Sequence, residues 1–108
     1  MFRERMKGNL DLLILAVLAA APAHGYEVAE RLRQRSNGTF DLPEGTIYPA
    51  LHRLEARGWV TSSWRSVGGR NRRVYELTDD GHQQLVAERT DWATFIAGVA
   101  AVLGVEPA

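Results

Sequence analysis

The first long run of the chain is apolar almost without a break. Leu12, Leu13, Ile14, Leu15, Val17 and Leu18 are interrupted and followed only by alanine up to Pro22. A helix that is apolar all round belongs inside a core. The run therefore predicts a central helix over 10–21, capped by Asn9 or a neighbour and stopped by Pro22. His24-Gly25-Tyr26 reads as a turn. Over 26–35 the pattern becomes one-sided: Val28, Ala29 and Leu32 oppose Glu30, Arg31, Arg33 and Arg35, an amphipathic helix that Asn37-Gly38 ends. Over 44–57, Ile47, Leu51 and Leu54 fall on one arc at helical spacing. Thr46, Pro49, His52, Arg53 and Ala56 take the opposite arc. Pro43 suits the start of this third helix and Gly58 its stop. Pro49 leaves the Gly45 carbonyl without an N–H, which is tolerable near a helix N-terminus.

The period then drops to two. Residues 60–66 and 72–77 read as strands, with Val60 and Trp64 on one face and Tyr75 and Leu77 on one face. The segment 67–71, with Gly68-Gly69, is the expected hairpin loop. Trp59 and Trp64 are expected to pack around the hairpin, and Tyr26 and Tyr75 to sit in the core. Thr78-Asp79-Asp80-Gly81 caps a final helix over 79–103, whose two leading acids suit the helix dipole. Within it Trp92, Phe95, Val99 and Val102 repeat at three and four residues, a short heptad-like seam. The predicted fold is mainly α with a small β-hairpin: a winged helix-turn-helix over residues 1–78, followed over 79–108 by a long C-terminal dimerisation helix.

Composition narrows the function. The chain has 108 residues, 45% of them apolar and 24% charged, which predicts one folded unit and excludes global disorder. There is no cysteine, so disulfides, thiolate metal sites and cysteine nucleophiles are excluded, in keeping with a cytoplasmic protein. Arg3, Arg5 and Lys7 ahead of the apolar run imitate a secretion signal, but Asp11 at its mouth and Glu4 among the cations argue against one. The run is shorter than the ~20 residues needed to cross a bilayer, and no membrane partner is expected. His24, His52 and His82 fall on separate elements, without the spacing of a metal site or a catalytic cluster. No enzyme activity, cofactor or metal is expected.

Formal net charge is zero, which taken alone argues against a nucleic-acid partner. The distribution says otherwise. Residues 60–77 carry four basic groups against one acidic, and residues 78–108 one basic against five acidic. A basic hairpin is offset by an acidic tail, and a ligand senses the local surface rather than the total.

Several stretches together resemble the PadR family of transcriptional regulators, in its short form with a single C-terminal helix. They are GNLDLLILAVL (8–18), HGYEV (24–28), PEGTIYPALHRL (43–54), EARGWV (55–60) and RRVYELTDDG (72–81). With their intervals they span about residues 8–95, and Gly-Thr-Ile-Tyr-Pro-Ala-Leu (45–51) is the most specific. The resemblance implies a homodimeric protein that binds double-stranded DNA, usually a repressor that lets go when an effector arrives. By the same resemblance the third helix enters the major groove, carrying Thr46, Tyr48, Pro49, His52 and Arg53. The hairpin, with Gly69, Arg70 and Arg72, approaches the minor groove or backbone. The last helix pairs with its twin. Trp92 falls where short-form members carry a tryptophan near the dimer interface, which implies a small planar or aromatic effector. His52 stands where lysine is common, and the tail beyond Phe95 is rich in alanine and valine.

The residue chemistry agrees, beside plainer readings. Arginine suits phosphate and narrow minor grooves, and Arg53 could read guanine or hold a phosphate; a solvated polar face is the plain alternative. Arg72 and Arg73 point to opposite faces of a strand, so one of them is structural. Tyr48 flanks the apolar arc and could pack instead of touching DNA. Lys7 and Asn9 could meet phosphate or belong to a solvated arm. Trp92 could stack on a ligand or on its symmetry mate, while Phe95, Ile96 and Val99 read as dimer core. A winged-helix module that binds protein without DNA is the alternative function.

Overall fold

The structure is a computed structural model that describes residues 9–106; Lys7 lies outside them. Helix α1 (Leu10–Ala20) runs through the centre of the molecule and buries Leu10, Ile14, Leu15, Val17 and Leu18. Asn9 occupies its N-cap position without a side-chain cap bond. The helix stops one residue short of expectation, and its trailing carbonyls are taken up by the next helix. Arg31 donates to Ala21 O at 2.9 Å and Pro22 O at 3.3 Å, and Arg35 donates to Ala16 O at 3.2 Å. The charged face of the second helix therefore completes the end of the first.

The expected turn at His24-Gly25-Tyr26 is replaced by a two-residue strand, β1 (Ala23–His24), and an immediate helix start, α2 (Gly25–Arg35). Both residues of β1 are buried. His24 Nδ1 accepts the Glu27 N–H while the Glu27 carboxylate accepts the His24 N–H, each at 3.3 Å. This reciprocal box lets α2 begin directly after the strand. Tyr26, expected in the core, is instead 52% exposed because α2 turns it outward. Asn37 and Gly38 both have positive φ and end α2 as expected.

Helix α3 (Glu44–Ala56) follows and buries Ile47, Ala50, Leu51 and Leu54 completely. Strands β2 (Val60–Val67) and β3 (Arg70–Leu77) then form the hairpin. Its loop is shorter than expected: Val67 pairs with Arg70, and only Gly68 and Gly69 lie between. Both have positive φ, +59° and +79°, the geometry of a two-residue turn that matches strand twist. The register sets Ser62 opposite Tyr75 and Trp64 opposite Arg73. β1 joins the free edge of β3, giving an antiparallel sheet in the order β1-β3-β2. The expected two-stranded hairpin is thus three-stranded at its base.

Helix α4 (Asp79–Leu103) matches its expected span. Thr78 Oγ1 accepts the Gly81 N–H at 3.0 Å and donates to Gly58 O at 2.6 Å, while the Thr78 N–H reaches Trp59 O at 3.1 Å. These bonds fix the helix to the root of the hairpin. Leu85 is buried in the common core. Seven and fourteen residues later, on the same face, Trp92 and Val99 are exposed. No helix among the described residues is long and apolar enough to cross a membrane. The architecture is a winged helix-turn-helix with a long C-terminal helix.

Candidate nucleic-acid interface

α3 has three exposed edges, each with its own neighbours. The outermost strip is Gly45, Pro49, His52 and Ala56, spaced by three and four, all exposed. It carries a single side chain with hydrogen-bonding reach, His52. The rest are short or ring-closed, so another surface can come close to the backbone.

The edge toward α1 holds Arg53 and Arg57. Both engage one carboxylate: Arg53 meets Asp11 Oδ1 at 3.0 Å and Arg57 meets Asp11 Oδ2 at 3.3 Å. Arg53, expected on the outward arc, is thus pulled to its rim. An exposed ion pair contributes only about 0–1 kcal/mol, so a phosphate could take Arg53 from Asp11 at little cost. Thr46, seven residues before Arg53, is exposed on the same side.

The edge toward the hairpin holds Tyr48 and Glu55. A Cβ on Gly25 would lie 2.5 Å from the Tyr48 ring. The phenol of Tyr48 therefore lies against the start of α2, and its packing role is real. Glu55 accepts from Ser62 Oγ at 2.6 Å and lies 4.0 Å from the Arg73 guanidinium. Arg73 Nε donates to Ser62 Oγ at 2.9 Å, and its guanidinium sits 5.7 Å over the Trp64 ring. Of the Arg72/Arg73 pair, Arg73 is the one tied into the fold by these contacts. Trp64, expected to pack, is 65% exposed; it stands on the hairpin face turned to α3, and Arg73 is what holds it.

Between α3 and the hairpin lies a cleft of about 250 Å³, bordered by Tyr48, His52, Trp64, Arg72, Arg73 and Tyr75 among others. Tyr75 is fully buried, as expected for core, and its hydroxyl has no hydrogen-bond partner. Burial pushes the Tyr75 phenol up from its ordinary pKa, against a smaller opposing pull from Arg73. At the far end of the hairpin, Gly69 and Arg70 are exposed at the turn.

The remaining candidates sit elsewhere. Asn9 borders a second, open cleft of about 370 Å³ with Leu12, Glu88, Asp91, Trp92 and Phe95. It is thereby placed beside Trp92. The Trp92 and Phe95 rings stack at 5.6 Å. Ile96 is half-buried, and Val99 is exposed on the same helix. Among the described residues no three His, Asp or Glu side chains gather as a metal site would require.

The contributions of Asp11, Glu55, Ser62, Trp64 and Arg73 were not anticipated. Part of the signal was available. Reading Gly68-Gly69 as a two-residue turn sets the register, which places Trp64 opposite Arg73 and Ser62 opposite Tyr75.

Comparison with known proteins agrees with this geometry. The description "Transcriptional regulator PadR-like family" matches residues 14–87. A transcriptional regulator from Mycobacterium tuberculosis, Rv3488, is 38% identical over 87 residues, covering 81% of this chain and 78% of the relative. The solved structure of a PadR-like transcriptional regulator from Bacillus cereus superposes with a TM-score of 0.83 at 27% identity, covering 95% of this chain and 99% of that one. A PadR family regulator from Clostridium difficile gives 0.75 at 33% identity, covering 88% and 97%. These relatives are regulators and not enzymes, and the chain belongs to the PadR-like family of transcriptional regulators.

Proposed function

We propose that the protein is a cytoplasmic, homodimeric repressor that binds double-stranded DNA and responds to a small ligand. The observation that carries the reading is the outward strip of α3, smooth apart from His52, standing beside a hairpin whose exposed turn ends in Arg70. Thr46 and the detachable Arg53 border the strip, and Arg72 borders the adjoining cleft. In this reading residues 1–78 touch DNA and residues 79–108 join two copies. A twofold dimer then requires an inverted repeat with half-sites about one helical turn apart.

A salt-dependent gel shift on DNA upstream of the protein's own gene tests the reading directly. Arg70→Ala is expected to weaken binding about equally on all sequences, because a residue at the tip of a hairpin meets phosphate rather than base edges. The slope of log K against log salt should fall by about one unit. An unchanged slope would remove Arg70 from the interface. Absence of any salt-dependent shift with the wild type would favour a protein partner instead.

The cleft beside Trp92 is the seat this reading gives to the effector. Stacked Trp92 and Phe95 offer a flat apolar wall, and Glu88 and Asp91 border the same cleft. That combination favours a planar, positively charged molecule. Saturable quenching of tryptophan fluorescence by planar cations, lost in Trp92→Leu, is the expected result. A broad panel without quenching counts against the site.

A further inference from the structure

The cleft between α3 and the hairpin is one-sided in its chemistry. Eight of the described residues border it, each of a type that carries an N–H or O–H donor, and none is a carboxylate. Tyr48 and His52 come from α3; Trp64, Arg72, Arg73 and Tyr75 come from the hairpin. The carboxylates beside it already have partners: Glu55 has Ser62 and Arg73, and Glu27 has His24 and Arg31. Arg72 makes no ion pair among the described residues. Two guanidiniums and several neutral donors thus share about 250 Å³ with little to accept from them.

The Tyr75 hydroxyl belongs to the same set. Its residue is wholly buried, and although the Arg73 guanidinium acts on the phenol oxygen, no acceptor takes its O–H. Natural structures rarely leave a buried polar group unmatched, and such a group calls for an explanation. A phenylalanine would fill the same space without that penalty. Tyrosine is explained if an acceptor enters the cleft, and the flanking guanidiniums select an anionic one. The Tyr48 and Trp64 rings wall the cleft, so the anion must be compact where it meets Tyr75.

We infer that this cleft seats a phosphate oxyanion, a phosphodiester of the DNA backbone, with the Tyr75 phenol donating from the floor and Arg72 and Arg73 from the rim. The inference rests on the DNA-binding reading and adds to it three residues, Trp64, Arg73 and Tyr75, that the sequence does not single out for contact with DNA. It also gives the network of Glu55, Ser62 and Arg73 a purpose: it holds one guanidinium at the rim while keeping the Glu55 carboxylate out of the cleft. Free phosphate has the same chemistry and is the other possible source of the oxyanion.

Tyr75→Phe is the informative variant, because it deletes only the hydroxyl. The free protein is expected to melt at the same temperature as wild type or higher, since an unsatisfied buried group is removed. DNA affinity is expected to fall about tenfold, the scale of a hydrogen bond to a charged acceptor. The decisive probe is a series of duplexes with single methylphosphonate substitutions. For wild type several positions per half-site should weaken binding; for Tyr75→Phe the loss at one of them should shrink about tenfold while the others keep their effect. A merely structural role for the hydroxyl would not move this pattern.

If wild type binds DNA and Tyr75→Phe matches it in affinity and in methylphosphonate pattern, the phosphate seat is overturned while the DNA reading stands. If wild type binds no DNA, inorganic phosphate becomes the probe. ³¹P line broadening by wild type but not by Tyr75→Phe would keep the oxyanion site with free phosphate as its occupant. Broadening by neither, or equally by both, would overturn it.

Discussion

Gly81→Ala is expected to lower the melting temperature by roughly 10–25 °C, a loss of about 2–4 kcal/mol at about 4–8 °C per kcal/mol for a chain of this size. Alanine normally favours a helix over glycine by about 1 kcal/mol, so the sign has to come from packing. At Gly81 it does. An added Cβ would fall on the carbonyl oxygen of Trp59 and come within 3.3 Å of Leu77 Cδ2. The obstacle is backbone, not a side chain that can swing aside. Moving it would disturb the Thr78 N–H bond to Trp59 O and the pairing of Val60 with Leu77. Withdrawing α4 instead would break the Thr78 bonds to Gly58 O and the Gly81 N–H. Gly98 is the control within the same helix, because a Cβ there meets nothing within 4 Å. Gly98→Ala should be neutral or stabilise by up to about 1 kcal/mol. Thermal melts of the two variants followed by circular dichroism would decide, and a Gly81→Ala melting point within a degree or two of wild type would show that the joint is slack.

The same joint marks the boundary of what local pattern reveals. The buried arc of α3 was legible because Ile47, Leu51 and Leu54 recur at the helical period and face one core. The span of α4 was legible from a capping threonine, two leading acids and the apolar seam of Trp92, Phe95, Val99 and Val102. β1 was not legible, because two residues are too few to show a period and their partner lies some fifty positions away at Val74 and Tyr75. Composition could not separate Tyr26 from Tyr75 either. One points out from the first turn of a helix, and the other lies inside a sheet whose third strand had no signal. The capture of Arg53 by Asp11 joins residues 42 apart in sequence, and no local rule foresees it. Helix α3 was therefore identified correctly as an element, while the bearing of its individual side chains had to come from the fold.

Phe95→Glu is expected to split the proposed dimer and reduce binding to a full operator by a hundredfold or more. Leu85 joins the core, but the face it shares with Trp92 and Val99 continues uncovered, with Phe95 59% and Val102 88% exposed. An apolar stripe of this kind, on a stretch of α4 that carries no charged residue from Trp92 to Leu103, is best hidden by a second copy. Burying one phenylalanine contributes roughly 1.5–3 kcal/mol, and twofold symmetry counts each substitution twice. Two glutamates brought into that seam would add repulsion to the lost area. The dimer dissociation constant should then rise by at least about a hundredfold, since each 1.4 kcal/mol is tenfold. Operator affinity follows because the second half-site is reached at an effective concentration that only the dimer supplies, an advantage of about 10²–10⁴. Binding to an isolated half-site should hardly change, which separates loss of pairing from damage to the DNA-reading surface. Val86→Glu is the matched control, since Val86 is exposed on α4 but lies off the stripe. Sedimentation velocity at low micromolar concentration, with gel shifts on full and half operators, reads both effects. A Phe95→Glu protein that remains dimeric and keeps its full-operator affinity would place the interface elsewhere.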